Sequence, residues 1–427
     1  MAQESKSKVA IIGGGPAGCT CAYFLQNKCE VTIFDKKSPL STLLPTGGGR
    51  CNLANAEYDF KELAKNYPRG EKFLYSVFSK FSTQDTIDFF EKIGVKTYVQ
   101  EDLRIFPKSN SSKDVREKFL KALSKVKFVK EEVININKIT SPQPSPKLGE
   151  GAVVGNSCMN AGEILFENED NSPLLQHFSV GEGAFVGDSH TNAGEVTYHV
   201  VTNKNIYRSD YIVIATGGHS SYELIKLLGH KIIEPKPSLT GLKTKENFSQ
   251  LSGVCINDIL FTHKGVSGPK IYEVSSIKAR DNFPYKLNFD FAGEIDLQSA
   301  LNTNPHKTIK NLLSDYVPKS FGEFVLNSLN IDAEQKCHTI DGKTRDKILD
   351  KLKNFEITAE GTVPDGEIVT SGGVDLKEIN PKTLESKLCP NIYFCGEVLD
   401  IDGFCGGFNL QNCWSTGFVV AKSIIMH

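Results

Sequence analysis

The chain of 427 residues lacks an excess of charge of either sign. Its 49 lysines and arginines are balanced by 51 aspartates and glutamates, which leaves a net charge of −2 at pH 7. Such a chain produces no global field that would gather a phosphate backbone or an anionic lipid surface. The composition therefore predicts no nucleic-acid or membrane partner. A small-molecule substrate is expected instead, and the oligomeric state is left open.

Long hydrophobic runs are also missing. No stretch approaches the roughly 20 consecutive apolar residues that a membrane-spanning helix needs. The first eight residues, MAQESKSK, are polar, and the apolar run from Val9 to Ile12 ends at three glycines. We therefore expect neither a signal peptide nor a membrane span.

The eleven cysteines include no CxxC pair and follow no regular spacing. An odd number of scattered cysteines favours free thiols in a reducing compartment, so the expected location is the cytoplasm. Cys158, His177 and His190 match no metal-ligand template, and no metal site is predicted. With 39% hydrophobic residues the chain is expected to fold into two or three domains.

The start of the chain has the pattern of a nucleotide-binding βαβ unit. The sequence GGGPAG follows an apolar strand and opens an apolar-periodic helix of about residues 16–26, and a second strand ends at Asp35. In GxGxxG the first glycine (Gly13) allows a tight turn, the second (Gly15) admits a pyrophosphate, and the third (Gly18) lets helix and strand pack closely. Asp35 lies about 20 residues further on, where a carboxylate binds ribose hydroxyls. The segment predicts dinucleotide binding.

FAD and NAD share this fingerprint, and the end of the chain favours FAD. There the segment 395–400, CGEVLD, forms a second strand end whose loop leads into a helix. The positive N-terminus of such a helix would stabilise negative charge on the pyrimidine side of a reduced flavin.

An internal repeat interrupts a β-rich region. GEGAVVGNSCMNAGEILF (149–166) and GEGAFVGDSHTNAGEVTY (181–198) match at 11 of 18 positions with an offset of 32 residues. Two copies are too few for a self-stabilising solenoid. We interpret residues 141–194 as a surface insertion between the strands of a hairpin or meander, with recruitment of a partner or a lid as the alternative.

Six motifs together resemble those of the BaiN/aminoacetone-oxidase-type NAD(P)/FAD-dependent oxidoreductases. They are IIGGGPAG, TGGGRCNLAN (46–55), ATGG (215–218), LFTHKGVSGP (260–269), VTSGGV (369–374) and GEVLDIDGFCGGFNLQNCWSTG (396–417). The resemblance covers nearly the whole chain except the repeat insertion. It implies an α/β fold: a Rossmann-like FAD-binding domain built from both chain ends (1–234 and 359–427), an inserted β-barrel-like domain (235–300) and a small helical domain (301–358).

The resemblance also implies which residues bind FAD. Those of the two glycine turns and the strand ends would hold the ADP half, the pyrophosphate and the ribityl chain: Gly13, Gly15, Pro16, Ala17, Gly18, Asp35, Thr216, Gly217, Gly396, Glu397 and Asp400. Others would line the flavin or pyrophosphate (Gly48, Gly49, Arg50, Cys51, Asn52), meet adenine through the backbone (Val133), or face the isoalloxazine (Gly406, Gly407, Asn409, Leu410, Gln411).

Two of the motif residues carry separate expectations. Cys51 lacks the nearby second cysteine of flavin disulfide reductases, which favours a packing role over a redox role. His263 is the best candidate for a proton donor, against the alternative of a structural histidine at a strand end.

The sequence predicts an FAD-dependent oxidoreductase and leaves its substrates open. The chain has no second complete GxGxxG, so NAD(P)H is expected to dock transiently in the substrate cleft. One interpretation passes hydride from NAD(P)H through flavin N5 to an enone-like acceptor, and another oxidises a small amine with oxygen. A flavin-binding sensor is the alternative from another class, and a flavin-dependent RNA-modifying enzyme is disfavoured by the neutral charge.

Overall fold

The computed structural model describes residues 6–139, 196–364 and 369–427. The strands are β1 (Lys8–Ile12), β2 (Glu30–Phe34), β3 (Ala54–Asn55), β4 (Thr97–Val99), β5 (Arg104–Pro107), β6 (Lys127–Val129), β7 (Val133–Ile139), β8 (Thr197–Thr202), β9 (Ile206–Ser209), β10 (Tyr211–Ile214), β11 (Ile232–Ser238), β12 (Leu242–Thr244), β13 (Cys255–Ile256), β14 (Ile259–Thr262), β15 (Gly265–Ser267), β16 (Tyr285–Phe289), β17 (Phe355–Thr362), β18 (Val369–Val374) and β19 (Ile392–Phe394). The α-helices are α1 (Pro16–Leu25), α2 (Phe60–Ala64), α3 (Glu71–Phe78), α4 (Thr83–Lys92), α5 (Ser112–Ala122), α6 (Tyr222–Leu227), α7 (Pro269–Ile277), α8 (Leu297–Thr303), α9 (Ile309–Leu313), α10 (Lys319–Ser328), α11 (Gly342–Lys353) and α12 (Phe408–Met426).

Both chain ends build one parallel sheet. Its five strands lie in the order β19-β10-β1-β2-β6, and every neighbouring pair is parallel. The central strands β1 and β10 are almost wholly buried because helices cover the sheet, and their apolar residues run without alternation. The Rossmann-type fold expected from the βαβ pattern is confirmed.

Helices α1 and α12 pack closely against each other beside this sheet. Trp414 of α12 is fully buried between Phe90 and Phe119, and its indole N–H donates to the carbonyl of Leu53 at 2.9 Å. The last helix is thereby fixed both to the first βαβ unit and to the segment 51–55.

The middle of the chain forms a second hydrophobic core. An antiparallel sheet in the order β13-β14-β15-β12-β17-β16 packs with helices α8 to α11, and Phe261, Phe291, Phe321 and Phe355 contact one another at its centre. Strands and helices therefore share one core here. The sequence-based boundary at residue 358 falls within β17, which pairs with β12 and β16.

A three-stranded antiparallel meander, β7-β8-β9, lies in the sequence between β6 and β10 of the parallel sheet. Ile139 at the end of β7 pairs with Thr197 at the start of β8. The β-rich pattern around the repeat thus does belong to one antiparallel pair. The repeat insertion itself, with Cys158, His177 and His190, lies outside the described residues.

In the described parts of the chain, no helix combines the length and the apolar character needed to cross a membrane.

Candidate nucleotide-binding cleft

Four chain turns meet at the carboxyl edge of the parallel sheet. β1 ends before Gly13, β2 before Asp35, β10 before Thr216 and β19 before Gly396. Parallel strands present their carboxyl ends at one edge, and ligands of such sheets bind in the crevice outside it. The sheet therefore brings together residues that are up to about 380 positions apart in the sequence.

The first glycine turn has the geometry of a phosphate-binding turn. Gly13 has φ of 107°, and a Cβ there would lie 2.7 Å from the carbonyl carbon of Ala215, so the turn requires glycine. Gly15 is the N-cap of α1 and no side chain caps this helix, while Pro16 occupies the first turn. The N-terminus of α1 is thus available to a phosphate.

Asp35 supports this turn from the neighbouring strand. Its carboxylate accepts a hydrogen bond from the Gly14 N–H at 2.7 Å and another from the Lys37 N–H at 2.7 Å. Each carboxylate oxygen retains acceptor capacity, since it can accept more than one hydrogen bond. Asp35 therefore orders the glycine turn and still offers acceptors to ribose hydroxyls.

A cavity continues from this turn along the sheet edge. Gly13, Asp35, Val133, Thr216 and further residues line it: Ile12, Phe34, Lys36, Glu131, Glu132, Ser220 and Ser221. Val133 is buried at the start of β7 and is one of the lining residues. A place for Val133 beside an adenine ring stays a prediction.

The second glycine-rich turn carries an arginine. Thr46–Gly49 is a short 3₁₀ turn in which Gly47 and Gly48 are left-handed, and a Cβ at Gly48 or Gly49 would meet no atom within 4 Å. The guanidinium of Arg50 lies 4.1 Å from the ring centroid of Phe106 and forms no salt bridge with any described residue. This open turn thus presents a cation without a carboxylate partner.

Two buried polar atoms in this region lack a protein partner. The Asn52 Oδ1 and the Thr216 Oγ1 are buried and form no hydrogen bond with any residue that the structure describes. Buried polar groups are rarely left unpaired, and both residues belong to the turns expected to hold the cofactor. The polar groups of FAD fit this site, because they would supply the missing partners.

Cys51 follows the same turn and is fully buried. Burial raises the pKa of its thiol to about 11, so the sulfur remains protonated at neutral pH. This agrees with a packing role.

The loop 403–407 before α12 packs on β3, the short strand that follows the second glycine-rich turn. The Asn55 side chain donates to the Gly406 carbonyl at 3.3 Å, and a Cβ on Gly407 (φ 101°) would lie 2.9 Å from the Ala54 Cα. Asn409 accepts from the Gly403 N–H at 2.8 Å and donates to its carbonyl at 2.7 Å. Two segments about 350 residues apart are thereby joined into one wall.

Gln411, in the first turns of α12, lies in the interior. It is fully buried, its Oε1 accepts from Thr86 at 3.0 Å, and its Nε2 donates to Ser415 at 2.9 Å. The side chain therefore joins α12 to α4, while Leu410 beside it is half-buried.

Behind β19, Glu397 and Asp400 occupy different surroundings. Glu397 accepts from the Thr370 N–H at 2.9 Å, and the Thr370 hydroxyl lies 3.3 Å from the His219 Nε2. Asp400 forms an ion pair with Arg280, and burial raises the pKa of its carboxyl group although Arg280 opposes this. Gly217 follows β10, and a Cβ on the next residue, Gly218, would lie 2.7 Å from the Thr370 Cβ and 3.2 Å from the Glu397 carboxyl carbon.

His263 lies away from this edge. It occupies the exposed turn between β14 and β15, two strands of the antiparallel sheet, and its ring makes no hydrogen bond with the described residues. The structure gives it no contact with the sheet-edge turns described above.

Sequence reasoning missed several residues of the cleft. Phe106 and Arg104 of β5, Asn55 of β3, and His219 and Thr370 join the wall only through tertiary contacts. The motif TGGGRCNLAN contains Asn55, but nothing local to the sequence shows that it reaches Gly406.

Comparison with known proteins places the chain in a family. The profile described as "HI0933-like protein Rossmann domain" matches residues 7–148 and 180–423. The chain is 25% identical over 453 residues to the Haemophilus influenzae protein named "Ribosomal RNA dihydrouridine synthase", covering 99% of each. It is 23% identical to the Clostridium scindens protein named "3-dehydro-bile acid delta(4,6)-reductase", covering 98% of each.

A solved structure described as the open conformation of a flavocytochrome c3 fumarate reductase aligns over 100% of this chain and 79% of its own, with 13% identity and a TM-score of 0.46. The family profile covers most of the chain, including both ends, which build the parallel sheet and its glycine turns. The chain therefore belongs to the HI0933-like family of FAD-binding Rossmann proteins and is an FAD-dependent oxidoreductase.

Proposed function

We propose that the protein uses FAD and NAD(P)H to reduce a carbon–carbon double bond conjugated with a carbonyl group. The observation that carries the proposal is that two relatives spanning nearly the whole chain are named for this chemistry. A dihydrouridine is a uridine whose ring double bond, conjugated with a carbonyl, has been saturated. A delta(4,6)-reductase of a 3-dehydro bile acid likewise saturates bonds conjugated with a ketone.

The residues of the cleft would hold FAD along the sheet edge. The turn at Gly13 and the N-terminus of α1 would bind the pyrophosphate, Asp35 the adenosine ribose, and the cavity beside Val133 the adenine. The turn at Arg50 and the loop 403–409 would border the flavin ring. His263 as a proton donor remains a prediction, as does each of these assignments.

Three groups of the chain are candidates to act during turnover. When bound, FAD supplies the chemistry of accepting a hydride from one molecule and delivering it to another. The Arg50 guanidinium, unpaired by any described carboxylate, and the N-terminus of α12 would stabilise negative charge that develops on the cofactor or the substrate carbonyl. His219, exposed and hydrogen-bonded to Thr370, is an additional candidate for holding a proton at its Nε2.

The donor is tested by following the visible flavin absorbance of the purified protein without oxygen while NADH or NADPH is added. We expect one nucleotide to bleach the flavin quickly and a 4-en-3-one steroid or a simple cyclic enone to restore it. Bleaching by a small amine, with no response to either nucleotide, would instead support an amine oxidase. A flavin that responds to neither would favour a sensor.

Uracil in RNA is the second candidate acceptor, favoured by the name of the Haemophilus influenzae relative. The same reduced protein is mixed with ribosomal RNA, and the nucleosides are analysed by mass spectrometry. Uridine that gains two hydrogen atoms would establish RNA as the acceptor and overturn the expectation that no nucleic acid is bound. Reoxidation by the enone alone would favour the small molecule.

A further inference from the structure

A buried ion pair joins the proposed flavin-facing loop to the second core. Arg69 lies between α2 and α3 and forms an antiparallel bridge with Asp402, in the loop before α12. The guanidinium donates through both Nε and Nη2 to the two oxygens of the Asp402 carboxylate. The exposed fractions of these side chains are 11% for Arg69 and 0% for Asp402.

The pair is completed by groups from the middle of the chain. Arg69 Nη2 also donates to the Ser276 carbonyl at 2.7 Å and to its hydroxyl at 3.1 Å. The Asp402 carboxylate accepts from the Ser238 hydroxyl at 2.9 Å and from the Ser276 hydroxyl at 3.2 Å. Ser276 belongs to α7 and Ser238 to β11, both from the middle of the chain. The network therefore links the loop before α12 with the part of the chain that forms the second core.

The segment around Arg69 follows the loop along its length. The Phe404 N–H donates to the Asn66 carbonyl at 3.0 Å, and the Tyr67 hydroxyl donates to the Phe408 carbonyl at 2.6 Å. Asp402 is followed directly by Gly403, whose backbone is held on both sides by Asn409. A shift of Asp402 is therefore passed to the start of α12.

We propose that Arg69 is a positioning residue, which through Asp402 fixes the loop 402–409 and the α7 face of the second core in one arrangement about the flavin. The inference rests on the proposed function for the identity of the loop as the flavin border. A planar, bidentate guanidinium fits this role because it fixes direction as well as charge, and lysine does not reproduce its fork. Once desolvated, either charge is stable only with the other present.

The test compares Arg69→Met, Arg69→Lys, Asp402→Asn and Ser276→Ala with Val115→Ala. Val115 of α5 is buried in the hydrophobic core formed by the parallel sheet and its helices, and it takes no part in the network. Its variant therefore controls for loss of stability alone. Amide exchange of residues 402–409 is measured by hydrogen–deuterium exchange in the apo and FAD-bound proteins. Iodide quenching of the bound flavin's fluorescence reports on its access to solvent.

We expect Arg69→Met and Asp402→Asn to raise exchange in 402–409 at least ten-fold and the quenching constant at least three-fold. Arg69→Lys should lie between them and the native protein, and Ser276→Ala, the mildest change, should shift both quantities in the same direction. Val115→Ala should lower the melting temperature without these local changes. Exchange and quenching equal to those of the native protein in all folded network variants would overturn the proposal.

The acceptor kinetics separate the two proposals. If the native protein reduces an enone, the network variants should raise the KM for the enone at least ten-fold, whereas Val115→Ala should leave this KM unchanged. Failure of the native protein to turn over any enone or RNA would refute the proposed function, and the exchange and quenching data would still decide the role of Arg69.

Discussion

Two aspartates, one at each end of the parallel sheet, accept the same kind of backbone hydrogen bond, but only one of them lies where the cofactor is expected. Asp35 accepts the Gly14 N–H at the carboxyl edge, where the cofactor is expected. Asp210 accepts the Lys8 N–H at the same distance of 2.7 Å, but at the opposite end of β1. The two positions offer the same backbone contact in different surroundings.

We expect Asp35→Asn to weaken FAD binding about ten- to a hundred-fold, because hydrogen bonds to a charged group contribute about 1.5–3 kcal/mol. The amide of the asparagine would also turn its NH₂ group, itself a donor, toward either the Gly14 N–H or the Lys37 N–H, so one of these two hydrogen bonds would be lost. Titration of FAD into the apoprotein measures the change. Asp210→Asn is the matched control, and equal losses of affinity in both variants would contradict a direct role for Asp35.

At the scale of elements, buried hydrogen bonds decide how α12 is seated. The indole of Trp414 satisfies the Leu53 carbonyl, whereas the hydroxyl of Tyr393 in β19 is buried without a partner in the structure. Removing a bonded donor leaves an acceptor unpaired, while removing an unpaired hydroxyl leaves nothing behind. The two aromatic residues thus make a contrasting pair.

Trp414→Phe should lower the free energy of unfolding by about 2–4 kcal/mol, since it loses both packing volume and the hydrogen bond. Tyr393→Phe should leave it unchanged or raise it slightly. Urea unfolding followed by circular dichroism measures both. A destabilised Tyr393→Phe variant would show that its hydroxyl is bonded after all.

The buried side chain of His230 joins two parts of the segment between β18 and β19. His230 Nδ1 lies 2.9 Å from Glu378 and its Nε2 lies 2.9 Å from the Ser386 hydroxyl, which also accepts two backbone N–H groups. Burial lowers the pKa of His230 from 6.5, and Glu378 only partly offsets this. The folded protein therefore prefers a neutral imidazole here.

Because the unfolded chain binds this proton more readily than the folded one, stability should fall as the pH drops below 6.5. His230→Gln should remove part of that slope, although it lowers stability at neutral pH. Melting temperatures measured from pH 7 down to 5 test this. His338→Gln, at an exposed position, is the control and should keep the native dependence of melting temperature on pH. If His230→Gln also kept the native dependence, the His230 imidazole would not be its cause.

For the whole molecule, the repeat contains the internal segment that the family profile leaves unmatched. The family profile omits residues 149–179, close to one repeat period of 32 residues. Ile139 and Thr197 pair directly, so the two strands that flank the insertion already meet at its base. Loop length alters the closure entropy only slowly.

Deleting residues 149–180 removes one period and joins the sequence in register with the second copy. We expect the shortened protein to bind FAD with native affinity and to keep its turnover, as measured by flavin titration and the nucleotide-dependent bleaching. A loss of either would support the alternative that the repeat forms a lid. Loss of a binding partner alone would support recruitment.

How far the sequence predicted the fold depends on the range of the interactions. The β1-α1-β2 unit and the last helix follow from local apolar periodicity and glycine placement, which are properties of short segments. The shared core of the middle strands and helices could not be read in this way. Its phenylalanines lie between residues 248 and 355, and only packing shows that they meet.

The sequence by itself determined the nucleotide-binding turn, because backbone strain at Gly13 and the spacing to Asp35 are constraints within one short unit. It also identified the family through motifs at both chain ends. Only the tertiary structure decided that Arg69 and Asp402, 333 positions apart, form a buried pair, and that Gln411 turns into the core. Such contacts depend on chain segments meeting in space, which no local pattern specifies.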